Sequence, residues 1–201
     1  MRHRPNQRAE TRGHVLDAAG RQFREHGFGG VGVDGLARAA GLTSGAFYGH
    51  FRSKAAAFRA VATAGVERLR SAVELFRARR GEAWFDAFAA YYLGAEHRKD
   101  VAGGCALPSL SAEVARADDA TRADYEAVLK RVATEVAAGL PGAPSREAAW
   151  PLLAELAGGV LLSRAVRDEA LAAEIAEATL ASLRKQAALA PHKTRAADRR
   201  S

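Results

Sequence analysis

Gly41 restricts this fold more than any other residue. It follows a short segment in which Leu36, Ala37 and Ala40 line one helical face, and a helix that meets glycine there ends by turning left-handed, a conformation open to glycine without steric cost. A second helix must start almost at once. Thr43 or Ser44 supplies the hydroxyl that caps its free N–H groups, and Phe47 and Phe51, four residues apart, form an apolar stripe against the rest of the protein. The opposite face then carries Ser44, Gly45 and Tyr48 with small Ala46 alongside. Two short helices joined by a tight turn, the second narrow and rich in hydroxyls, form a helix-turn-helix layout whose second helix suits the DNA major groove.

The residues that follow extend the pattern. Ser53 has the position of an N-cap for a further helix, with Lys54 at that helix's start and His50 just before it. A backbone N–H cluster beside a cation attracts phosphate. The candidate DNA-binding set is therefore Thr43, Ser44, Gly45, Ala46, Tyr48, His50 and Lys54.

On these residues the sequence resembles the TetR family of transcriptional regulators. The resemblance covers residues 11–58. It includes the aromatic close of a first helix (Phe23, Gly27, Phe28), a second helix (Val33, Leu36, Ala37, Ala40), the turn Gly41-Leu42-Thr43, and the signature Gly45, Tyr48, His50, Phe51, Ser53 and Lys54. Three glycines depart from the family pattern. Gly32 caps the second helix without a side-chain hydrogen bond, Gly35 costs that helix about 1 kcal/mol relative to alanine, and Gly49 removes one DNA contact. They bear on which operator is read, not on the binding mode.

Charge agrees with a DNA-binding end. Residues 1–60 hold ten Lys/Arg against four Asp/Glu, residues 184–201 hold six against one, and the segment between holds fourteen against eighteen. A basic N-terminal part joined to a mildly acidic body fits a DNA-binding domain attached to a domain of another kind. The N-terminus has no apolar signal segment and no run of about 18 apolar residues exists, so a cytoplasmic protein without a membrane partner is expected. Cys105, the single cysteine, excludes an intrachain disulfide and a Cys-rich zinc site. No metal or cofactor is expected.

Enzyme readings fail on context. Gly27-Phe28-Gly29-Gly30-Val31-Gly32 satisfies Gly-x-Gly-x-x-Gly, but helical sequence precedes it and no βαβ unit surrounds it. There is no His-Glu-x-x-His pair, and Gly41 to Gly45 has the wrong spacing for a nucleophile elbow.

The body reads as helix almost throughout. Val15, Leu16, Ala19 and Phe23 form one stripe; Phe58, Val61, Gly65, Leu69, Val73 and Phe76 form that of a long fourth helix; Trp84 to Tyr92 and Tyr125 to Leu140 mark others, and two more span about 145–166 and 168–187. An all-α protein of about nine helices is expected, with a helix-turn-helix domain over 1–55 (1–10 disordered), a regulatory and dimerisation domain over 56–187, and a basic disordered tail over 188–201.

The last two helices hold more apolar surface than one thin layer would hide. In the TetR family the corresponding pair forms a four-helix bundle with a second subunit, which implies a homodimer and a near-palindromic operator. Leu152, Leu156, Gly159, Val160, Leu171 and Ile175 are the expected interface. Gly158-Gly159 marks either a close helix approach there or a kink, and Pro151 either delays this helix or bends it.

The resemblance also implies a C-terminal chamber for a small-molecule effector that releases DNA, hence a repressor. Trp84, Phe88, Tyr91 and Tyr92, aromatic bodies with polar tips among them, suit a small apolar or aromatic effector or else plain core. Cys105, in a glycine-rich run before a helix, is the remaining pocket candidate; a thiol so placed is either a small buried hydrophobe or a sensor of oxidants and electrophiles. The alternative function is thus a DNA-binding regulator without such a ligand, sensing through Cys105 or controlled by a protein partner.

Overall fold

The structure, a computed structural model, describes residues 4–142 and 145–189. Among them are ten α-helices and one 3-10 turn, with no strand, so the fold is all-α as expected. In chain order the helices are α1 (Arg4–Gly30), α2 (Val33–Ala39), α3 (Ser44–Tyr48), α4 (Lys54–Arg80), α5 (Trp84–Tyr92), α6 (Ala95–Lys99), α7 (Ala106–Val114), α8 (Asp119–Gly139), α9 (Arg146–Ala165) and α10 (Glu169–Leu189). One more helix is present than the sequence announces. It is α6, whose five residues Ala-Glu-His-Arg-Lys bury nothing and leave no apolar period to read.

The helices pack as two compact units: residues up to Ser71 with Ala95–Leu129, and Ala72–Gly94 with Lys130 onward. The units do not divide the chain at residue 55, because α6, α7 and the first half of α8 pack with the N-terminal helices. Within the first unit, Val15, Ala19 and Phe23 of α1 are fully buried with Val61 and Val66 of α4. The helix begins at Arg4, inside the stretch expected to be disordered; Gln7, Arg8, Ala9 and Glu10 are all good helix formers, and Pro5 is tolerated in a first turn. Arg24, nearly buried, donates from Nε to the Ala102 carbonyl at 2.6 Å. Burial, then the guanidinium groups of Arg68 and Arg21, lower its pKa.

The close of α1 is its most constrained point. Gly27 breaks the helix with φ 75° and ψ 170°, a region populated almost only by glycine. The break turns the Phe28 N–H toward α7, where it donates to Glu113 Oε1 at 2.6 Å. It also sets the Phe28 ring 5.1 Å edge-on to Phe58. A Cβ on Gly27 would stand 2.8 Å from that same carboxylate oxygen. Gly27→Ala is expected to lower stability by about 1–3 kcal/mol, read as a fall in the thermal unfolding midpoint; an unchanged midpoint would contradict this reading of the break.

The start of α8 is fixed by Asp118, which accepts from the Thr121 N–H at 2.7 Å; hydrogen bonds from the Thr121 side chain and backbone lower its pKa. Arg59 of α4 reaches Asp124 at 2.5 Å. Tyr125 bonds Ser111 at 2.7 Å, and burial pushes its pKa up to about 12, so the phenol stays neutral.

In the second unit, α5 buries Trp84, Phe85, Phe88, Ala89 and Tyr92. The Trp84 indole N–H donates to the Gly139 carbonyl at the end of α8, at 2.8 Å. The α9–α10 pair closes this core with Leu152, Leu153, Leu156 and Val160 on one side and Ala172, Ala176 and Leu183 on the other. Ser145 caps α9, its hydroxyl accepting from the Glu147 N–H at 3.1 Å. Pro151 does not delay the helix, which starts at Arg146 and contains it on the way to Ala165. No helix among the described residues is long and apolar enough to cross a membrane. The expected tail lies outside the described residues from 190 onward.

Candidate nucleic-acid interface

Gly41 has φ 68° and closes α2 as its position in the sequence requires. The Leu42 N–H returns to the Ala37 carbonyl at 2.9 Å and the Gly41 N–H to that of Arg38 at 3.0 Å, the paired bonds that end a helix on a left-handed residue. The opposite end of α2 is capped by Gly32 with no side-chain bond, so this seven-residue helix is held from its C-terminal side and by buried Leu36 and Ala37.

Only two residues separate Gly41 from α3. Thr43 Oγ1 accepts from the Ala46 N–H at 3.2 Å and keeps its own proton to donate outward. Phe47 and Phe51 are buried, their rings 5.5 Å apart. That fixes which face of α3 is left outside. Thr43, Gly45, Ala46 and Tyr48 are exposed, Tyr48 by about half, while Ser44, His50 and Lys54 are half-buried. All seven sequence-derived candidates therefore fall on one turn-and-helix segment and the start of α4.

Two of them have partners that sequence did not reveal. The Ser44 hydroxyl donates to the Asp34 carboxylate of α2, so its proton is already committed and its oxygen is oriented by α2. The Lys54 ammonium lies 4.4 Å above the Phe28 ring. Ser53 caps α4, accepting from the Ala56 N–H at 3.0 Å. Arg12, from α1, holds its guanidinium 5.4 Å above the Phe51 ring, which adds an exposed cation to this head that no local motif announces. Arg38 and Arg52 are exposed near the same helices.

Residues 15–61 match the family model of bacterial regulatory proteins of the tetR family. The chain carries a TetR-family DNA-binding domain. Over 49 residues it is 45% identical to the HTH-type transcriptional regulator AcrR of Shigella flexneri, a match covering 24% of this chain and 23% of AcrR, so the chain aligns with about a quarter of that curated relative. Solved structures share the fold over much greater length. The reduced form of Escherichia coli NemR superposes with TM-score 0.73 at 23% identity, covering 88% of this chain and 96% of NemR. A TetR-family regulator from Cytophaga hutchinsonii gives 0.75 at 21%, covering 92% and 96%.

Beyond the TetR-type head, the expected pocket residues do not form one site. Phe88 and Tyr92 are sealed in the core of the second unit, Tyr91 is about half exposed beside Phe76, and Trp84 alone of the five lines a cleft of about 610 Å3, with Phe85, Asp86, Leu140 and Arg184. Asp86 and Arg184 pair at its rim at 2.5 Å. Cys105 belongs to the other compact unit. There it caps α7, its Sγ accepting from the Leu107 N–H at 3.4 Å.

The expected dimer residues also separate. Leu152, Leu156, Gly159 and Val160 point into their own unit's core. Gly159 does serve a close approach, but to Thr179 of α10 in the same chain, where a Cβ would come within 2.8 Å. Ile175 is half-buried. The apolar residues left outside are Leu161, Leu162, Leu171 and Trp150, with Ala154, Ala178 and Ala181 exposed on the same two helices.

Proposed function

We propose that the protein is a homodimeric transcriptional repressor that reads a near-palindromic operator through two copies of α3 and is released by a small-molecule effector. The capped, outward α3 with a cation at the start of the next helix carries this reading. In it Thr43, Gly45, Ala46 and Tyr48 enter the major groove, His50 and Lys54 meet phosphate, and Ser44 is presented by Asp34 as an acceptor. The exposed apolar side of α9 and α10, centred on Leu161, Leu162 and Leu171, pairs two chains; such a face on a soluble regulator marks a partner surface. The Trp84 cleft has the size of sites that hold small molecules, and its aromatic wall with one ion pair suits an apolar or aromatic effector. The test is a gel-shift titration on DNA flanking the gene, repeated with compounds that raise the thermal midpoint. Operator binding that such compounds abolish is expected; retention of the complex with every stabilising compound would overturn the effector part.

A second reading rests on Cys105. Its sulfur accepts the Leu107 N–H at the start of α7 at 3.4 Å, which places the thiol at a helix N-terminus. If the protein senses electrophiles, wild type treated with a quinone releases its operator and Cys105→Ser does not. Equal behaviour of the two would remove this reading.

A further inference from the structure

Arg59, Arg68 and Arg70 of α4 are each held by a carboxylate, Asp124 and Asp17 at 2.5 Å and Glu67 at 2.6 Å. Arg12, Arg38 and Arg52 are exposed and have no carboxylate partner among the described residues. Of these three, Arg12 has a seat of another kind, the face of the Phe51 ring at 5.4 Å. A ring face supports a guanidinium without spending its N–H donors, which a carboxylate partner would consume. The place of that seat is as informative as its chemistry. Phe51 is buried in the turn between α3 and α4, its ring 5.5 Å from Phe47 of α3. His50 precedes it, and Arg52, the Ser53 cap and Lys54 follow. Arg12 thus brings to this turn, from α1, an exposed and unpaired cation whose planar fork matches the oxygens of a phosphate.

We propose, on the DNA-binding reading of α3, that Arg12 is a further DNA contact, its guanidinium donating to a backbone phosphate beside the groove that α3 enters. Phosphate contacts set the register of a recognition helix and carry no sequence information directly, so Arg12 positions α3 and reads no base. Lys54 rests on a different ring, that of Phe28, so the two cations serve separate phosphates.

Affinity of the full chain is measured by fluorescence anisotropy at salt concentrations from about 50 to 200 mM, on a labelled fragment of the DNA flanking the gene and on an unrelated duplex of equal length. Arg12→Gln is expected to lower the slope of log affinity against log salt by about 1 per bound chain on both fragments. Arg12→Lys keeps the charge and is expected to restore most of that slope. Arg12→Gln combined with Lys54→Ala is expected to lose about 2. Arg21→Gln removes the same charge from another exposed position of α1, about two and a half turns along and so on the opposite side of the helix; its slope is expected to stay at the wild-type value. A purely structural role for Arg12 would lower the thermal midpoint and leave the slope as it is. A wild type that binds neither fragment would overturn the DNA-binding reading and this contact with it. With the wild type bound, an unchanged slope for Arg12→Gln, an equal loss for Arg21→Gln, or a loss confined to the flanking fragment would overturn the Arg12 contact alone.

Discussion

Lys54→Ala is expected to weaken binding to every DNA sequence by a similar factor, and to lower the slope of log affinity against log salt by about 1, the signature of one lost phosphate contact. The effect should be large for one side chain. Lys54 stands at the start of α4, where the Ser53 cap leaves backbone N–H groups facing outward. Its ammonium is held 4.4 Å above the Phe28 ring, so much of the entropy of placing a long side chain has been lost before DNA arrives. The cation–π contact at a half-exposed site contributes no more than about 1 kcal/mol to stability, so the variant should remain folded and a melting curve will show it. Substitutions at Thr43 or Ala46 should behave differently, changing which sequence is preferred. A Lys54→Ala protein with altered preference and an unchanged salt slope would show that the roles within this segment are wrongly assigned.

The second large effect is expected at the outward side of α9 and α10. Leu161 and Leu162 are 55% and 58% exposed, and fully burying a leucine contributes about 1.5–3 kcal/mol. Each residue occurs twice across a two-fold interface. Leu161→Glu combined with Leu162→Glu therefore removes several kilocalories per mole of apolar gain and sets four carboxylates against an apolar partner. Light scattering is expected to report a dimer for the wild type and a monomer for the double variant. Operator affinity should fall with it, because a monomer engages one half-site only. Neither side chain belongs to the core, so folding should be retained. A double variant that remains dimeric would remove α9 and α10 as the pairing surface.

These two predictions differ in how far sequence alone could have reached them. Around Gly41 the chain is legible because each requirement is local. The left-handed close of α2, the Thr43 and Ser53 caps, and the Phe47–Phe51 stripe each involve residues within five positions of one another. What could not be read depends on partners from other elements: Asp34 of α2 holding Ser44, Glu113 of α7 holding Phe28, and Arg12 of α1 over Phe51 in the turn before α4.

The inner and outer sides of α9 were hidden for a different reason. Leu152, Leu153, Leu156, Val160, Leu161 and Leu162 surround the helix, and periodicity cannot say which apolar side meets its own chain when both are apolar. The residues first expected between subunits, Leu152, Leu156 and Val160, prove to be the inner set. Among the aromatics of α5, composition could not separate core from cleft. Trp84 and Phe85 line one, and the Trp84 indole N–H turns to the end of α8 to meet the Gly139 carbonyl.

The pairing of two heads on one DNA site is tested most directly by footprinting on DNA flanking the gene, with the number of bound chains counted on the same fragment. The expected result is two protected segments related by a two-fold axis, their centres about one helical turn or a multiple of it apart, with an even number of chains bound. A single protected segment occupied by one chain, or no protection above that of unrelated DNA, would contradict it.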